Sequence, residues 1–535
     1  MKKILSPFLI LALIIGFVGC SEDDLETAPT DSVTGPVLFA TVDGAQVAMN
    51  GVYRMLFTAG WTTSNEHQNF GIMSTKMYTS LMGEDFLQDA QGNGWFYFDY
   101  LYDVNRRYTS SAWRPYATWN FYYTLISNAN YILAEEEQLV ENGDPAMVDN
   151  IMAQALTMRA YAYFQLIQSF QHTYKGNESA PGVPLYTEPT TAASEGKGRG
   201  TVEEVYTQIN ADLTDAIDKF SGNKGSQAHK SHFDYYIANA IKANVALVQN
   251  KWGEAATHAK EALKKTGLTQ RGDLESGFNS VNMSGVMWGS EIIADQSGIY
   301  ASFFAHMDAR ANRYARSSRK CIYNWLYDQI SNQDLRKKWW LDPNRVLTEK
   351  EQEEEDELRE EYPEFFVDYS QRKFLYDEID TDMGDYIYMR AEEMQLVLAE
   401  ALCHDSKFSE AKTALETLLK LRYPADYDWA ANSPIKDATM SKDHTMGSIG
   451  SAKTLMDHIL LQRRIELWGE SERIFDIQRL KMGFDRTAPN SNHSQPNVGF
   501  DTTKPQQNNF ILAIPQKEFD GNPNMGPADQ NPITK

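Results

Sequence analysis

Large apolar residues recur at helical spacing through residues 461–482, with charged residues between them. The apolar positions are Leu461, Ile465, Leu467, Trp468, Ile474, Phe475, Ile477 and Leu480. A solvent-exposed charged helix does not need Trp468 and Phe475, and a buried helix tolerates guanidinium groups only where carboxylates pair with them. We predict a helix that packs between layers of other elements, with its ion pairs partly buried. Helical spacing brings together Arg463/Glu466, Glu466/Glu470, Arg473/Asp476 and Asp476/Arg479. The residues assigned to structural ion pairs are Arg464, Glu466, Arg473 and Asp476.

Apolar periodicity predicts helices along much of the remaining chain. They cover residues 42–56, 119–137, 146–172 and 201–220, and the T-V-E-E sequence at Thr201 is typical of a capping-box start. K-W-G-E-A at residues 251–255 recurs as K-F-S-E-A at residues 407–411. Each copy lies between alanine-rich helices, predicted at 235–248 and 255–264 and again at 388–403 and 411–421. This layout is typical of tetratricopeptide (TPR) units.

The predicted fold is mainly α, a TPR-like scaffold of helical pairs with a large irregular, loop-rich side for ligand binding. The helical pairs occupy about residues 118–172, 201–266 and 386–422 of a single domain that spans residues 41–535. Two loop-rich insertions cover about residues 57–117 and 270–385, and both are rich in Gly, Ser, Asn and aromatic residues. The acidic run at residues 349–361 is interpreted as a solvated helix or a disordered loop.

Charge and composition narrow the function classes. The 535 residues carry a formal net charge of −23, which argues against a nucleic-acid partner because phosphate backbones require basic surfaces. A hydrophobic content of 42% is sufficient for a large core. Two of the three cysteines, Cys321 and Cys403, do not form a disulfide framework, and we expect both to be buried and unpaired.

The first residues are typical of an exported lipoprotein. Lys2 and Lys3 precede an apolar run over residues 4–18, and Gly19 and Cys20 follow. This pattern predicts a signal peptide at residues 1–19 that is too short to be a spanning helix. The residues around Cys20 resemble a lipobox, so Cys20 is the predicted lipid-attachment site. Residues 20–40 form an acidic tether, in which residues 21–24 resemble an export signal to the outer surface.

Catalytic motifs are absent from the sequence. H-E-x-x-H, G-x-S-x-G and a phosphate-binding G-x-x-x-x-G-K-S/T do not occur. Asp380, Asp382 and Asp385 resemble part of a calcium loop, but Ala391 stands where an EF-hand requires a carboxylate. We therefore predict no catalytic residues, no metal site and no cofactor. A pair of carboxylates from distant loops, as in a glycoside hydrolase, would leave no pattern in the sequence.

Aromatic side chains in the two loop-rich insertions are the candidates for ligand binding. Flat sugar faces stack on Trp and Tyr rings, and rings held on rigid loops lose little entropy when they bind. The candidate residues are Trp61, Trp95, Tyr97, Trp288, Tyr300 and Trp325. Trp119 and Tyr123 are assigned to the core because they are four residues apart on a helix.

Several motifs together resemble the SusD/RagB family of lipid-anchored nutrient-binding proteins. They are R-R-I-E-L-x-x-E-x-x-R-x-F-D-I-x-R at residues 463–479, R-A-Y-A-Y-F-x-L at 159–166, V-P-L-Y-T-E-P at 183–189 and I-P-Q-K-E-F-D-G-N-P-N from 514. The resemblance spans about residues 41–535, with the C-terminal signature at 461–535. It implies a binding protein and not an enzyme.

The resemblance also implies partners and a location. The protein would lie at the outer membrane, facing the cell exterior, attached to lipid through acylated Cys20. It would capture an oligosaccharide and deliver it to a SusC-like TonB-dependent transporter. Two alternatives stay open: a peptide-binding, RagB-like member of the same family and a surface glycoside hydrolase.

Overall fold

Helices make up most of the regular structure in the computed structural model, which describes residues 38–60, 66–107, 109–191, 193–224 and 227–532. The predicted signal peptide, the lipid-attachment residue Cys20 and most of the tether lie outside these residues. The helices are α1 Val42–Met55, α2 Ile72–Leu81, α3 Tyr97–Tyr100, α4 Val104–Arg107, α5 Trp113–Ala134, α6 Glu136–Asn142, α7 Pro145–Phe170, α8 Val202–Phe220, α9 Tyr235–Val248, α10 Trp252–Ala262, α11 Phe303–Met307, α12 Asn324–Asp328, α13 Glu349–Glu361, α14 Ala391–His404, α15 Phe408–Leu419, α16 Trp429–Asn432, α17 Leu455–Glu466, α18 Arg473–Arg479 and α19 Gln516–Gly521. This architecture confirms the mainly α-helical prediction.

The described strands are short and antiparallel. They are β1 Phe86–Gln88, β2 Pro181–Pro184, β3 Arg199–Thr201, β4 Val286–Ser290, β5 Lys320–Ile322 and β6 Tyr386–Arg390. β1 pairs with β5, β2 with β3, and β4 with β6. The pairs β1–β5 and β4–β6 each join a chain segment to one more than 90 residues away, and β1–β5 ties the two loop-rich insertions together.

The helices of the internal repeat have the same local geometry in both copies. α9 leads into α10 through Asn250, and α14 leads into α15 through Ser406; both turn residues have a φ of 60°. In each copy the following lysine donates its backbone N–H five residues back, from Lys251 to Ala246 and from Lys407 to Leu402, at 2.9 Å. The copies also touch, because the Trp252 ring stacks on His404 with ring centroids 3.8 Å apart. The TPR-like assignment and the domain limits stay predictions.

Two element predictions were wrong in type. Residues 57–117 are not irregular throughout, because α2 lies within them and all ten of its residues are buried. A helix buried on every side has no apolar stripe, so its period does not appear in the sequence. The predicted helix at 388–403 begins at Ala391, because Tyr386–Arg390 is strand β6. The acidic run is helix α13, which begins with a capping box at Thr348. Cys321 and Cys403 are buried and free, which confirms that prediction.

Residues 461–482 form two helices, α17 and α18, and not the single helix predicted. The break contains Gly469, whose φ of 75° is in the left-handed region that favours glycine. A Cβ atom at this position would lie 2.6 Å from Cε2 of Phe374, whose ring is buried. The close approach of backbone and ring therefore requires a glycine.

We expect Gly469→Ala to lower the free energy of unfolding by about 2 kcal/mol, because it adds both a strained φ and an overpacked contact. Denaturant unfolding followed by circular dichroism measures this change. Gly253→Ala, at an exposed position in α10 where a Cβ meets nothing within 4 Å, is the matched control and should raise stability slightly. Equal unfolding midpoints for the Gly469→Ala and wild-type proteins would contradict the argument.

The charged residues of the signature are buried, but most of their partners lie on other elements. Glu466 accepts hydrogen bonds from Arg336, Arg390 and Arg422, and all four side chains have 0% exposure. Arg464 pairs with Asp85 and Arg473 with Glu84, both near β1. Asp476 accepts from Arg463 and from Arg479, at 2.8 and 2.7 Å. Of the predicted neighbours only Asp476 and Arg479 pair along the helix. Glu466 and Arg473 instead pair with side chains of other elements, which the helical spacing alone does not reveal.

Candidate ligand-binding site

Four rings from the two loop-rich insertions meet at one place, here called the ring cluster: His67, Trp95, Tyr300 and Tyr314. The His67 and Trp95 rings are stacked, with centroids 5.4 Å apart and planes within 5°. Tyr314 meets Trp95 edge-on at 5.9 Å and lies 5.4 Å from Tyr300. Tyr300 is 44% exposed and Trp95 is partly exposed, so the cluster reaches the surface.

Hydrogen bonds from buried groups fix the part of the ring cluster that comes from the first insertion, His67 and Trp95. The backbone N–H of Phe96, a residue with a φ of 61°, donates to the Gln68 side chain at 2.7 Å. Arg114, which is buried, donates to the Gln68 carbonyl at 3.2 Å. These contacts hold Trp95 beside His67. Preorganised rings of this kind reduce the entropy lost on binding a ligand.

His306 connects the cluster to the interior. Its Nε2 lies 2.6 Å from the His67 carbonyl oxygen, so Nε2 carries the proton and donates. Burial, reinforced by the Lys320 charge, lowers the pKa of His306 well below its ordinary value. The ring is therefore neutral at neutral pH. On the other side, the Tyr314 hydroxyl is hydrogen-bonded to Nδ1 of His67, which links the two insertions directly.

A cavity of about 330 Å³ adjoins Trp95. It is lined by Gln68, Asn93, Gly94, Trp95, Phe98, Asp99, Arg106, Arg107 and Trp113. The Arg106 guanidinium lies 3.3 Å above the Phe98 ring and is exposed. Amide and guanidinium groups around aromatic walls suit a ligand that has both flat apolar faces and hydroxyl groups.

Asp99 lies at the floor of this cavity and is buried. It accepts hydrogen bonds from Arg107 and from Arg114, the latter at 2.7 and 3.0 Å. Charge-assisted hydrogen bonds from two guanidinium groups hold the carboxylate and its partners in fixed positions. This arrangement suits a structural role better than that of a proton donor in glycoside hydrolysis.

Three of the other predicted ring residues, Trp288, Tyr97 and Trp325, have no described ring contact with the ring cluster. Trp288 is 1% exposed on strand β4, where every residue is buried, and its Nε1 donates to the Ser231 carbonyl. Tyr97 is buried in α3. Both predictions are corrected: these rings have no free face to offer a ligand. Trp325 is partly buried beside the Arg464 guanidinium, 4.9 Å from its ring centre, and no described ring contact joins it to the ring cluster. Trp61 lies outside the described residues.

Two rings of the ring cluster, His67 and Tyr314, were not singled out from the sequence, and neither was any residue that lines the adjoining cavity except Trp95. The composition of the two insertions pointed to the correct segments. It could not distinguish Tyr314 from the many other aromatic residues in the second insertion. Which rings meet depends on the β1–β5 pairing, and three-residue strands leave too weak a pattern to be found in the sequence.

Two of the three acidic residues that resembled a calcium loop, Asp382 and Asp385, have other partners. Asp382 pairs with Arg313 at 2.7 Å, and Asp385 accepts the backbone N–H groups of Val281 and Ile292 at 2.9 and 3.0 Å. Within the described ranges, no group of three or more His, Cys, Asp or Glu side chains is arranged to hold a metal ion. The helices of the described chain also include none that is long and apolar enough to cross a membrane.

Comparison with known proteins gives matches over most of the chain. Residues 65–247 match a family model described as starch-binding and associating with the outer membrane, and residues 348–533 match the SusD family model. SusD-like protein P2 of Formosa agariphila is 24% identical, covering 98% of this chain and 99% of its own.

Solved structures share the fold. A SusD-like carbohydrate-binding protein from Bacteroides vulgatus aligns with a TM-score of 0.72 at 22% identity, covering 92% of this chain and 99% of its own. A laminarin-binding SusD-like protein aligns with a TM-score of 0.63 at 18% identity, covering 92% and 99%.

Proposed function

Because this chain belongs to the SusD/RagB family, we propose that it is a cell-surface lipoprotein that binds an oligosaccharide and delivers it to a TonB-dependent outer-membrane transporter. The observation that supports the proposal is the ring cluster, in which Trp95 from the first insertion and Tyr300 from the second are linked through the rings of His67 and Tyr314, and Tyr300 is 44% exposed. The carbohydrate-binding and laminarin-binding proteins of the same fold support a glycan as the ligand class.

Binding requires no covalent chemistry. A flat sugar face stacks on the exposed rings of the ring cluster. Side chains of the adjoining cavity bind its hydroxyl groups, among them Asn93 and Arg106. The protein is then not an enzyme, and the energy for uptake comes from the transporter. Acylated Cys20 holds it at the outer membrane, where two or more acyl chains give stable attachment.

The peptide-binding alternative has less support from the site. A peptide in an extended groove is held mainly by backbone hydrogen bonds to an open strand edge. The β1–β5 strands beside the site are already paired with each other, and the surface offers ring faces together with side-chain amide and guanidinium groups. Retention of an unstructured peptide, with no retention of any glycan, would favour this alternative.

The test is affinity electrophoresis of residues 21–535 in gels that contain neutral polysaccharides, laminarin among them. We expect retardation by at least one of them. Trp95→Ala and Tyr300→Ala should each weaken binding about tenfold or more, because central aromatic contacts dominate binding energy.

Tyr131→Ala is the matched control. Tyr131 is 42% exposed, similar to Tyr300, but lies on helix α5 outside the site. Its removal should leave retardation unchanged. Retardation that survives the loss of both Trp95 and Tyr300 would refute the proposed site, and release of reducing sugar from a retained glycan would favour the hydrolase alternative.

A further inference from the structure

One exposed arginine lies at the cavity beside Trp95 without an acceptor for its charge. Arg106 belongs to helix α4 and lines this cavity. Within the part of the chain that the structure describes, its guanidinium takes part in no ion pair and no hydrogen bond, and its one contact of this kind is with the Phe98 ring. The side chain is exposed, so a ligand in the cavity can reach it.

The contact with Phe98 holds this guanidinium in place. Its central carbon lies 3.3 Å from the centre of the ring. Stacking uses a face of the planar group and leaves the N–H groups along its edge open. These N–H groups form a planar fork that matches two oxygens of a carboxylate or a sulfate group. Because the ring restrains Arg106, binding such a group loses less side-chain entropy.

The charges beneath the cavity are also positive on balance. Arg107 and Arg114 are buried and share one buried carboxylate, Asp99. Asp103 is partly exposed, and it accepts the backbone N–H of Arg106 at 3.0 Å but forms no ion pair with the guanidinium. Three guanidinium groups therefore face two carboxylates. Solvent screens the buried groups less than it screens surface charges, so this excess acts on a ligand in the cavity.

The remaining described residues of the cavity lining are uncharged, and three of them are partly exposed rings: Trp95, Phe98 and Trp113. The volume of about 330 Å³ lies at the lower end of the range for small-molecule sites, roughly 300–1,000 Å³. Trp95 also belongs to the ring cluster. A glycan that stacks on the ring cluster therefore has its next sugar unit, or a substituent, within this cavity.

We propose that the glycan bound at this site carries an acidic substituent, a carboxylate or a sulfate group, which pairs with Arg106 while the sugar rings stack beside Trp95. The inference rests on the proposed function and adds the substrate class of the same site. A hydroxyl group accepts only a neutral hydrogen bond, whereas an anion forms a charge-assisted bond and balances the positive excess. Neutral glycans bind the same rings with lower affinity.

The charge of the whole protein makes this preference specific to the cavity. The chain has a formal net charge of −23, so it repels a polyanion at long range. General electrostatic attraction therefore does not produce tighter binding of an acidic glycan. Such a preference requires a local positive site.

Isothermal titration of residues 21–535 with two matched pairs of glycans tests the inference. The pairs are laminarin with laminarin sulfate, and methyl-esterified oligogalacturonate with the free acid, at an ionic strength held constant with sodium chloride. We expect the acidic member of at least one pair to bind about fivefold more tightly than its neutral partner, as for one partly exposed charge-assisted hydrogen bond. Sodium sulfate and sodium acetate test free ions, and binding of a free ion as tight as that of the acidic glycan would overturn the role of the sugar.

Arg106→Gln keeps an amide donor but removes the charge. It should abolish the preference for the acidic member and change the affinity for the neutral member by no more than about twofold. Arg54→Gln is the matched control, because Arg54 is an exposed arginine of α1 that does not line the cavity. It should bind both members like the wild type, whereas Trp95→Ala should weaken the binding of both.

The outcomes separate this inference from the proposed function. Equal affinity for the two members of each pair, or a preference that survives in Arg106→Gln, would overturn the acidic substituent and leave glycan binding intact. No affinity for any glycan would overturn both. Salt dependence is a measurement that needs no variant: added sodium chloride should weaken binding of the acidic member more than of the neutral one, and equal weakening would also overturn the inference.

Discussion

Glu466→Gln is expected to lower the free energy of unfolding by about 3–5 kcal/mol, because it leaves buried positive charge without its carboxylate. Arg336, Arg390 and Arg422 converge on Glu466 with distances of 2.8–3.1 Å. The neutral amide removes the negative charge of Glu466, but the three buried guanidinium groups keep their desolvation cost. Denaturant unfolding followed by tryptophan fluorescence and circular dichroism measures the loss.

Glu410→Gln is the control. Glu410 pairs with Lys260 at 3.9 Å, and both side chains are more than half exposed. Such surface pairs contribute between about 0 and 1 kcal/mol, so this variant should unfold close to the wild type. A Glu466→Gln protein as stable as the control would mean that the buried arginines find other acceptors.

The same carboxylate predicts how stability depends on pH. Burial alone raises the pKa of Glu466, but the charges of Arg422, Arg390 and Arg336 outweigh it and hold the pKa well below the ordinary value of 4.5. A lowered pKa in the folded protein contributes stability that is present above the unfolded value and lost as the pH falls below it. The wild type should therefore lose stability below about pH 4.5, and Glu466→Gln should lose less over the same range.

Asp99→Asn is the second substitution with a large expected effect, because it acts on both stability and binding. Asp99 is the carboxylate that Arg107 and Arg114 share beneath the cavity next to Trp95. Its removal should cost about 3 kcal/mol or more, as for other broken buried pairs. Arg114 also holds Gln68, which in turn binds the backbone N–H of Phe96, so Trp95 loses its support.

Two measurements separate these effects. Denaturant unfolding gives the stability change, and affinity electrophoresis at low temperature gives glycan binding by the molecules that remain folded. Asp149→Asn, at a surface pair with Lys219, should change neither result. A folded Asp99→Asn protein with unchanged stability would show that the carboxylate does not hold the site together, and unchanged retardation would show that Trp95 is positioned by other contacts.

The sequence predicted helices such as α8 well because α8 has a polar and an apolar side and a clear start. Residues 201–220 and 235–248 match α8 and α9 closely, and Thr201 forms the expected capping box. Helix α2 was missed because it is buried on all sides. The break between α17 and α18 was missed because a single glycine, Gly469, decides it through its φ and through contact with a ring far away in the sequence.

The candidate site could be predicted only in part. Composition identified the correct insertions, and Trp95 and Tyr300 were among the residues chosen. Trp288 has the same composition around it, but strand β4 buries it against Phe233 and Tyr388. Whether a ring in a loop-rich segment faces solvent depends on which distant segment covers it, and one sequence does not contain that information in any local pattern.

The carboxylate of Glu466 fastens three regions of the chain together. Arg336 belongs to the second insertion, Arg390 ends strand β6, and Arg422 follows helix α15. If any one of these regions detaches, its arginine loses the Glu466 carboxylate, and the buried charges that remain are no longer balanced. Long chains commonly unfold in stages. Here the shared ion-pair network couples the second insertion to the helical scaffold, so we expect the two to unfold in one transition.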